Sequence, residues 1–288
     1  MSIADIFNTK KPVVSFEIFP PKKNGVLVNA DETIKSLKKL NPDYISVTFG
    51  AGGNSVNAMT WEIARSIREN FKIEPIVHLT CLSHSKEDID EILEKLKKYG
   101  LYNILALRGD ENPNAAAKED FRHANELISY IKSRGDFSVS AACYPEGHSE
   151  SPNLVQDTIY LKKKVDAGAN HLISQLFFDN NFFYSFLDRA RNAGINVPID
   201  AGIMPLTSKK QIERMVMLCG ASLPAKFKKV LDKYEDKPDA LLDAGIAYAL
   251  DQVIDLITQG VDGIHLYTMN NPIIAERIYN GFSSLIDL

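Results

Sequence analysis

The chain has 288 residues, 45% hydrophobic and 24% charged, with a formal net charge of −4. That balance excludes an electrostatic nucleic-acid binder, which needs clustered Lys and Arg, but not a small anionic ligand held by a few local cations. No run approaches the ~20 apolar residues of a membrane span, and the start MSIADIFNTKKPVV has no apolar signal core. Cys81, Cys143 and Cys219 are too few and too widely spaced for a disulfide framework, so a cytoplasmic protein is expected. At this length one core can bury roughly three quarters of the unfolded surface, and the whole of 1–288 reads as a single domain.

Taken in order, the predicted strands are Val13–Phe19, Tyr44–Thr48, Ile76–Thr80, Asn103–Leu107, Ser138–Cys143, His171–Phe177, Val197–Ile203 and Gly263–Tyr267. They are short and rich in Val, Ile, Phe and Tyr, as strands buried on both faces should be. Helical patterns lie between them. Lys86–Tyr99 sets Ile89, Ile92, Leu93 and Leu96 on one face, with Ser85 as N-cap and Gly100 as the stop. Leu154–Ala167 ends at Gly168, and Phe182–Ala193 ends at Gly194. The stretch Gly220–Gly245 breaks the rhythm and predicts an extra helix and a charged loop before the eighth strand, with Lys226–Lys237 as a solvated face. Strand and helix alternating eight times predict an α/β fold, a (β/α)8 TIM barrel. The count of eight and the absence of a Gly-rich first turn favour the closed barrel over an open sheet.

Alternate residues of a barrel strand face its interior. On that parity Glu17, Thr48, His78, Tyr144 and Gln175 gather at the C-terminal ends of the strands, where such barrels place their chemistry. Arg108, Gly109 and Asp110 follow the fourth strand at the same level. Glu17 lies in VVSFEIFPP, where a carboxylate is costly to bury unless partnered or protonated; a raised pKa would make it a general acid, and the plainer alternative is an edge carboxylate paired with a Lys. His78 alone is more often a satisfied core histidine than a ligand. His78, Cys81 and His84 invite a zinc reading, but parity sets His78 and Cys81 on opposite faces and no fourth ligand is evident, so no metal is expected. Cys143 points toward the helices as a small hydrophobe. Gly50–Gly53 reads either as a phosphate cradle or as a tight turn.

The segments SFEIFPPK (15–22), ISVTFGAGG (45–53), VHLTC (77–81), LALRGD (105–110), AACYPEGH (141–148), LKKKVDAGAN (161–170), SQLFFDN (174–180), GIMP (202–205) and HLYTMN (265–270) run in order through nearly the whole chain. Together they resemble methylenetetrahydrofolate reductase of the bacterial type, which has the catalytic domain without the long C-terminal regulatory extension of eukaryotic members. The resemblance implies an FAD-containing barrel. A pyridine nucleotide, NADH or NADPH, reduces FAD, and the reduced flavin reduces methylenetetrahydrofolate to methyltetrahydrofolate in ping-pong fashion, within one-carbon metabolism and methionine biosynthesis. It implies Glu17 as general acid and Asp110 as the carboxylate near flavin ring and pterin. Gln175 and Gln211 are implied as substrate contacts. FAD contacts are implied at Thr48, His78, Arg108, Gly109, Asp110, His123, Ala124, Tyr144, His148, Asp157, Lys163 and Lys164, the two lysines toward the diphosphate. A homo-oligomer is expected.

Two places depart from the family pattern. Asn271 stands where many members carry Arg after the eighth strand, and Asp200–Ala201 stand where relatives have aliphatic residues and Pro. The sequence leaves open electrons delivered by a partner protein, a flavin-free pterin-binding methyltransferase, and a non-catalytic binding protein. Against the methyltransferase is the lack of a Cys-rich zinc thiolate site. Against a dead site are Glu17, Asp110 and Gln175.

Overall fold

The computed structural model describes residues 1–20, 28–49, 54–82, 84–110 and 120–286. The Gly50–Gly53 turn lies outside them. Eight parallel strands close into one barrel in chain order: β1 Val13–Ile18, β2 Tyr44–Val47, β3 Glu74–Thr80, β4 Asn103–Leu107, β5 Ser138–Cys143, β6 His171–Ser174, β7 Ile199–Ile203 and β8 Gly263–Tyr267. Closure is made by β1 on β8, with Ser15 opposite His265 and Glu17 opposite Tyr267.

The helices are α1 Ile3–Ile6, α2 Val28–Lys38, α3 Asn54–Glu69, α4 Lys86–Lys98, α5 Ala124–Ser133, α6 Leu154–Asp166, α7 Asn180–Asn192, α8 Lys209–Cys219, α9 Ala225–Tyr234, α10 Pro238–Thr258 and α11 Pro272–Phe282. α4 forms as the sequence predicts: Ser85 and Asp88 make a reciprocal capping box, and Ile89, Ile92, Leu93 and Leu96 are the buried face. α9 is the extra helix before the eighth strand. It buries Phe227 and Leu231 and leaves Lys226, Lys228, Lys229 and Lys233 in solvent. Among the described residues no helix is long and apolar enough to cross a membrane.

Two strands differ from their predicted bounds. β6 stops at Ser174, because Gln175 turns its side-chain Oε1 to accept the Leu176 N–H at 2.9 Å. β7 begins at Ile199, since Pro198 has no N–H to donate.

The main core lies between strands and helices, filled by outward strand residues such as Phe16, Ile45, Val77, Ile104 and Leu172. The N-terminal α1, not anticipated from the sequence, plugs the bottom of the barrel: Ile3, Ile6 and Phe7 pack with Val13, Tyr44, Ile76, Leu105 and Ile173. A further apolar cluster, including Leu176, Phe178, Met204, Leu206, Phe227 and Leu241, ties α8, α9 and α10 to the ends of β6 and β7.

Candidate active site

Inward parity on β1, β3 and β8 brings a carboxylate and two imidazoles to one point. Glu17 Oε2 lies 3.5 Å from His78 Nε2 and 3.7 Å from His265 Nε2. Glu17 is 19% exposed, while His265 is fully buried. The end of β8 holds the end of β1 in place. Thr268 Oγ1 donates to the Glu17 carbonyl at 2.7 Å. The Asn270 amide accepts from Phe19 N–H at 2.9 Å and donates to Phe19 O at 2.7 Å.

This pairing corrects the expected raised pKa of Glu17. Burial does push the carboxyl up, but the adjacent His265 imidazole, the His78 imidazole and the Ser46 hydroxyl outweigh it and hold the group below its ordinary value. His78 is itself pushed down to about 4 by burial, against the pull of Glu17. Sequence reasoning missed His265. Its parity with Tyr267 in HLYTMN was the available signal, but parity along one strand does not say which residue faces it across the barrel. His78 Nε2 has no hydrogen-bond partner although it is buried.

Beside this point, between the ends of β4 and β5 and the starts of α5 and α6, lies a cavity of about 400 Å³. Eight residues carried over as FAD contacts line it: Arg108, His123, Ala124, Tyr144, His148, Asp157, Lys163 and Lys164. Arg108 is held there by a bidentate pair with Glu150. Asp157 accepts from the His148 N–H at 3.0 Å and the Ser151 hydroxyl at 2.7 Å, so it shapes the loop after β5. Lys164 Nζ donates to the Ala142 carbonyl at 2.9 Å and sits over the Tyr144 ring; burial holds its pKa below the ordinary value. Lys163 is exposed, its amine over the Tyr160 ring.

Thr48, His78, Gly109 and Asp110 are not on that cavity's wall. His78 is at the Glu17 cluster, and Thr48 N–H donates to Ile18 O at 3.0 Å on the rim beside it. Gly109 has φ +85° and packs on Thr80, whose Cβ would lie 3.0 Å from an added Cβ, so a side chain is strained there. Asp110 is exposed at the rim, close enough to Cys219 at the end of α8 to help raise that thiol. Gln175 is half-buried at the end of β6. Gln211 sits in the first turn of α8, its Oε1 accepting from Thr207 Oγ1. Asn271, the departure after β8, caps α11 by accepting from the Ile274 N–H.

The residues weighed for zinc have other roles. Cys81 Sγ is 3.5 Å from the Arg108 carbonyl, and His84 Nδ1 is 3.0 Å from the Thr80 carbonyl. Among the described residues no group of three His, Cys, Asp or Glu side chains is placed to hold a metal. Burial pushes the Cys81 thiol up to about 12 and the Cys219 thiol up to about 11, and raises Cys143 as well. Since the thiolate is the reacting form, the native protein is expected to resist iodoacetamide at mildly alkaline pH, and all three thiols to label in denaturant. Rapid native labelling of Cys81 or Cys143, read by peptide mass, would contradict their buried placement.

The family model described as methylenetetrahydrofolate reductase matches residues 2–282. The 5,10-methylenetetrahydrofolate reductase of Pectobacterium carotovorum subsp. carotovorum is 37% identical over 265 residues, covering 92% of this chain and 88% of that protein. The protein of the same name from Escherichia coli K12 is 35% identical, with the same coverage. Methylenetetrahydrofolate reductase (NADH) 1 of Arabidopsis thaliana is 36% identical across 89% of this chain, which spans only 46% of the plant protein's length. Among solved structures, an uncharacterized Clostridium thermocellum protein that binds two copies of 5-methyl-5,6,7,8-tetrahydrofolic acid superposes with TM-score 0.72 at 15% identity, covering 100% of this chain and 98% of that one, a likeness of fold.

Proposed function

The chain belongs to the methylenetetrahydrofolate reductase family, and from that premise we propose that it reduces 5,10-methylenetetrahydrofolate to 5-methyltetrahydrofolate with FAD as resident cofactor and NADH or NADPH as electron source. The observation that carries the reading is the meeting of Glu17 with His265 and His78 at the barrel's top.

The residues present suit FAD. The cavity wall combines cations for a diphosphate, Arg108, Lys163 and Lys164, with the aromatic face of Tyr144 and the apolar Leu107 and Leu161. His78 Nε2 is buried beside Glu17 Oε2 without a hydrogen bond, so a bound ligand's polar atom has a partner there. When bound, FAD supplies the two-electron transfer between nicotinamide and folate.

The folate step needs an acid. The imidazolidine ring opens when its methylene carbon–amine bond breaks: the departing amine nitrogen keeps the bonding pair and takes a proton, and the other nitrogen's lone pair forms the iminium that accepts hydride. Glu17 is the residue proposed to deliver that proton. Asp110 is proposed to face the developing cation and lower its energy, with Gln175 and Gln211 as amide contacts to the pterin.

The test is direct. Purified protein should show a flavin spectrum, bleach with NADH or NADPH, and regain colour with methylenetetrahydrofolate. A preparation that neither carries nor takes up FAD sinks the proposal. In Lys163→Ala/Lys164→Ala, flavin affinity is expected to fall about tenfold or more, with a weaker salt dependence than the parent, because charge-assisted contacts are lost. Fluorescence titration of FAD across a salt series measures it, and unchanged affinity would remove the two lysines from the diphosphate.

A further inference from the structure

Gln175 enters the site from the end of β6, and on the β7 side that end is held by side chains rather than by the sheet ladder. The β6–β7 ladder runs only from Leu172 opposite Ile199 to Ile173 opposite Asp200. Within it the Leu172 N–H donates to Pro198 O at 2.9 Å. Carried one step further, this register would have the Gly202 N–H donate to the Ser174 carbonyl. Instead the Gly202 N–H donates to Ser174 Oγ at 2.8 Å, so the fully buried serine takes the ladder donor with its side chain. The Ser174 carbonyl is met from a different strand: Tyr267 Oη, at the end of β8, donates to it at 2.7 Å. To arrive there the Tyr267 side chain passes over β7, and Gly202 makes the passage. A Cβ on Gly202 would lie 2.8 Å from Tyr267 Oη and 2.9 Å from its Cε2, and would collide with the Ser174 carbonyl as well. Burial pushes the Tyr267 phenol well above its ordinary pKa, which keeps the hydroxyl a donor.

The consequence falls on Gln175. Its N–H belongs to the same peptide group as the Ser174 carbonyl, and it donates to Cys143 O at 2.7 Å. One peptide plane is therefore fixed at both ends, by β5 through its N–H and by β8 through its C=O. The Gln175 side chain is oriented too: its Oε1 accepts from the Leu176 N–H at 2.9 Å, so its NH2 group is the end left to donate. Tyr267 is also the register partner of Glu17 on β1. One residue thus references the proposed acid through its backbone and the proposed amide contact through its hydroxyl.

We propose that Ser174 is a positioning residue for the folate step: its hydroxyl captures the Gly202 N–H, ends the β6–β7 ladder one bond early, leaves the Ser174 carbonyl to Tyr267, and so sets where Gln175 stands relative to Glu17. An alanine at this position would leave the Gly202 N–H with the Ser174 carbonyl as its acceptor. The ladder would then advance by one bond, and the peptide between residues 174 and 175 would turn toward β7 and away from the Tyr267 hydroxyl. Gln175, one atom further along, would turn with it. The part played in folate binding rests on Gln175 being an amide contact to the pterin; the placing of Gln175 does not.

The experiment is nitrogen NMR of the full chain labelled at the glutamine side-chain amides, with the Gln175 NH2 signals identified by their loss in Gln175→Ala. In Ser174→Ala those signals should shift and broaden, while Ser174→Thr, which keeps the hydroxyl, should hold them near the parent's. In flavin reoxidation the apparent Kd for methylenetetrahydrofolate should rise about tenfold in Ser174→Ala, the size of one lost hydrogen bond, and stay near the parent's in Ser174→Thr. Placed on top of Gln175→Ala, the alanine should add nothing to that Kd, because the residue through which Ser174 acts is already gone. A packing role would lower the melting temperature and leave both the Gln175 signals and the Kd in place. A folded Ser174→Ala with the parent's Gln175 signals overturns the proposal, as does a rise in Kd that persists in full without Gln175. Should Ser174→Ala fail to fold, Tyr267→Phe removes a single oxygen from the same link, and unmoved Gln175 signals there overturn it equally. Variants whose Gln175 signals move as expected, in a protein whose reduced flavin methylenetetrahydrofolate does not reoxidise, would overturn the functional reading and leave the positioning of Gln175 standing.

Discussion

Glu17→Gln is expected to slow flavin reoxidation by methylenetetrahydrofolate by about 10²–10⁴-fold, the usual contribution of a positioned acid, while reduction by the nicotinamide stays near the parent rate. Only the folate half involves a leaving amine that must be protonated. Glutamine keeps the shape of the side chain beside His265, 3.7 Å away, but it has no carboxyl proton to give. Folate binding should change much less than the rate, since the lost interaction belongs to the transition state. Stopped-flow traces of the two half-reactions separate the outcomes. If both slow equally, Glu17 positions the flavin; if neither slows, the acid is elsewhere.

Gly245→Ala is expected to destabilise the protein by about 3 kcal/mol or more, at or beyond the upper end of ordinary overpacking. In a free helix the same change would help, because glycine is the poorer helix former. Here α10 crosses the backbone after β7 so closely that an added Cβ would lie 1.8 Å from the Leu206 carbonyl oxygen. Backbone cannot move aside as a side-chain end can, so the segment joining Met204 to Gln211 must shift. Gly281→Ala is the control: the atoms nearest its Cβ belong to the Leu250 side chain, at 2.6 Å, which can change rotamer. Urea melts should show the midpoint falling far more for Gly245→Ala than for Gly281→Ala, with similar slopes. Equal losses would mean that the approach of α10 to Leu206 is not what requires glycine.

The positions of the eight strands, the extra helix and the shared placement of Glu17 and His78 were legible in the sequence, because they rest on periods of two and 3.6 residues and on local punctuation such as Ser85 and Gly100. The carried-over cavity residues Arg108, Tyr144, His148, Asp157, Lys163 and Lys164 were legible as motifs, and the chain brings them to one wall. Tertiary structure alone decided the direction of the Glu17 shift: burial by itself raises a carboxyl, and the barrel's closure, which gathers His265 of β8, His78 of β3 and Ser46 of β2 around it, reverses the sign. It also gave Asp200 its partners. Strand periodicity says which side of the sheet a side chain faces, but the residue it meets across a barrel depends on register and closure, which are properties of the whole sheet. Asp200 therefore looked like an unexplained departure until Tyr44, His171 and the space left by Gly263 were seen around it.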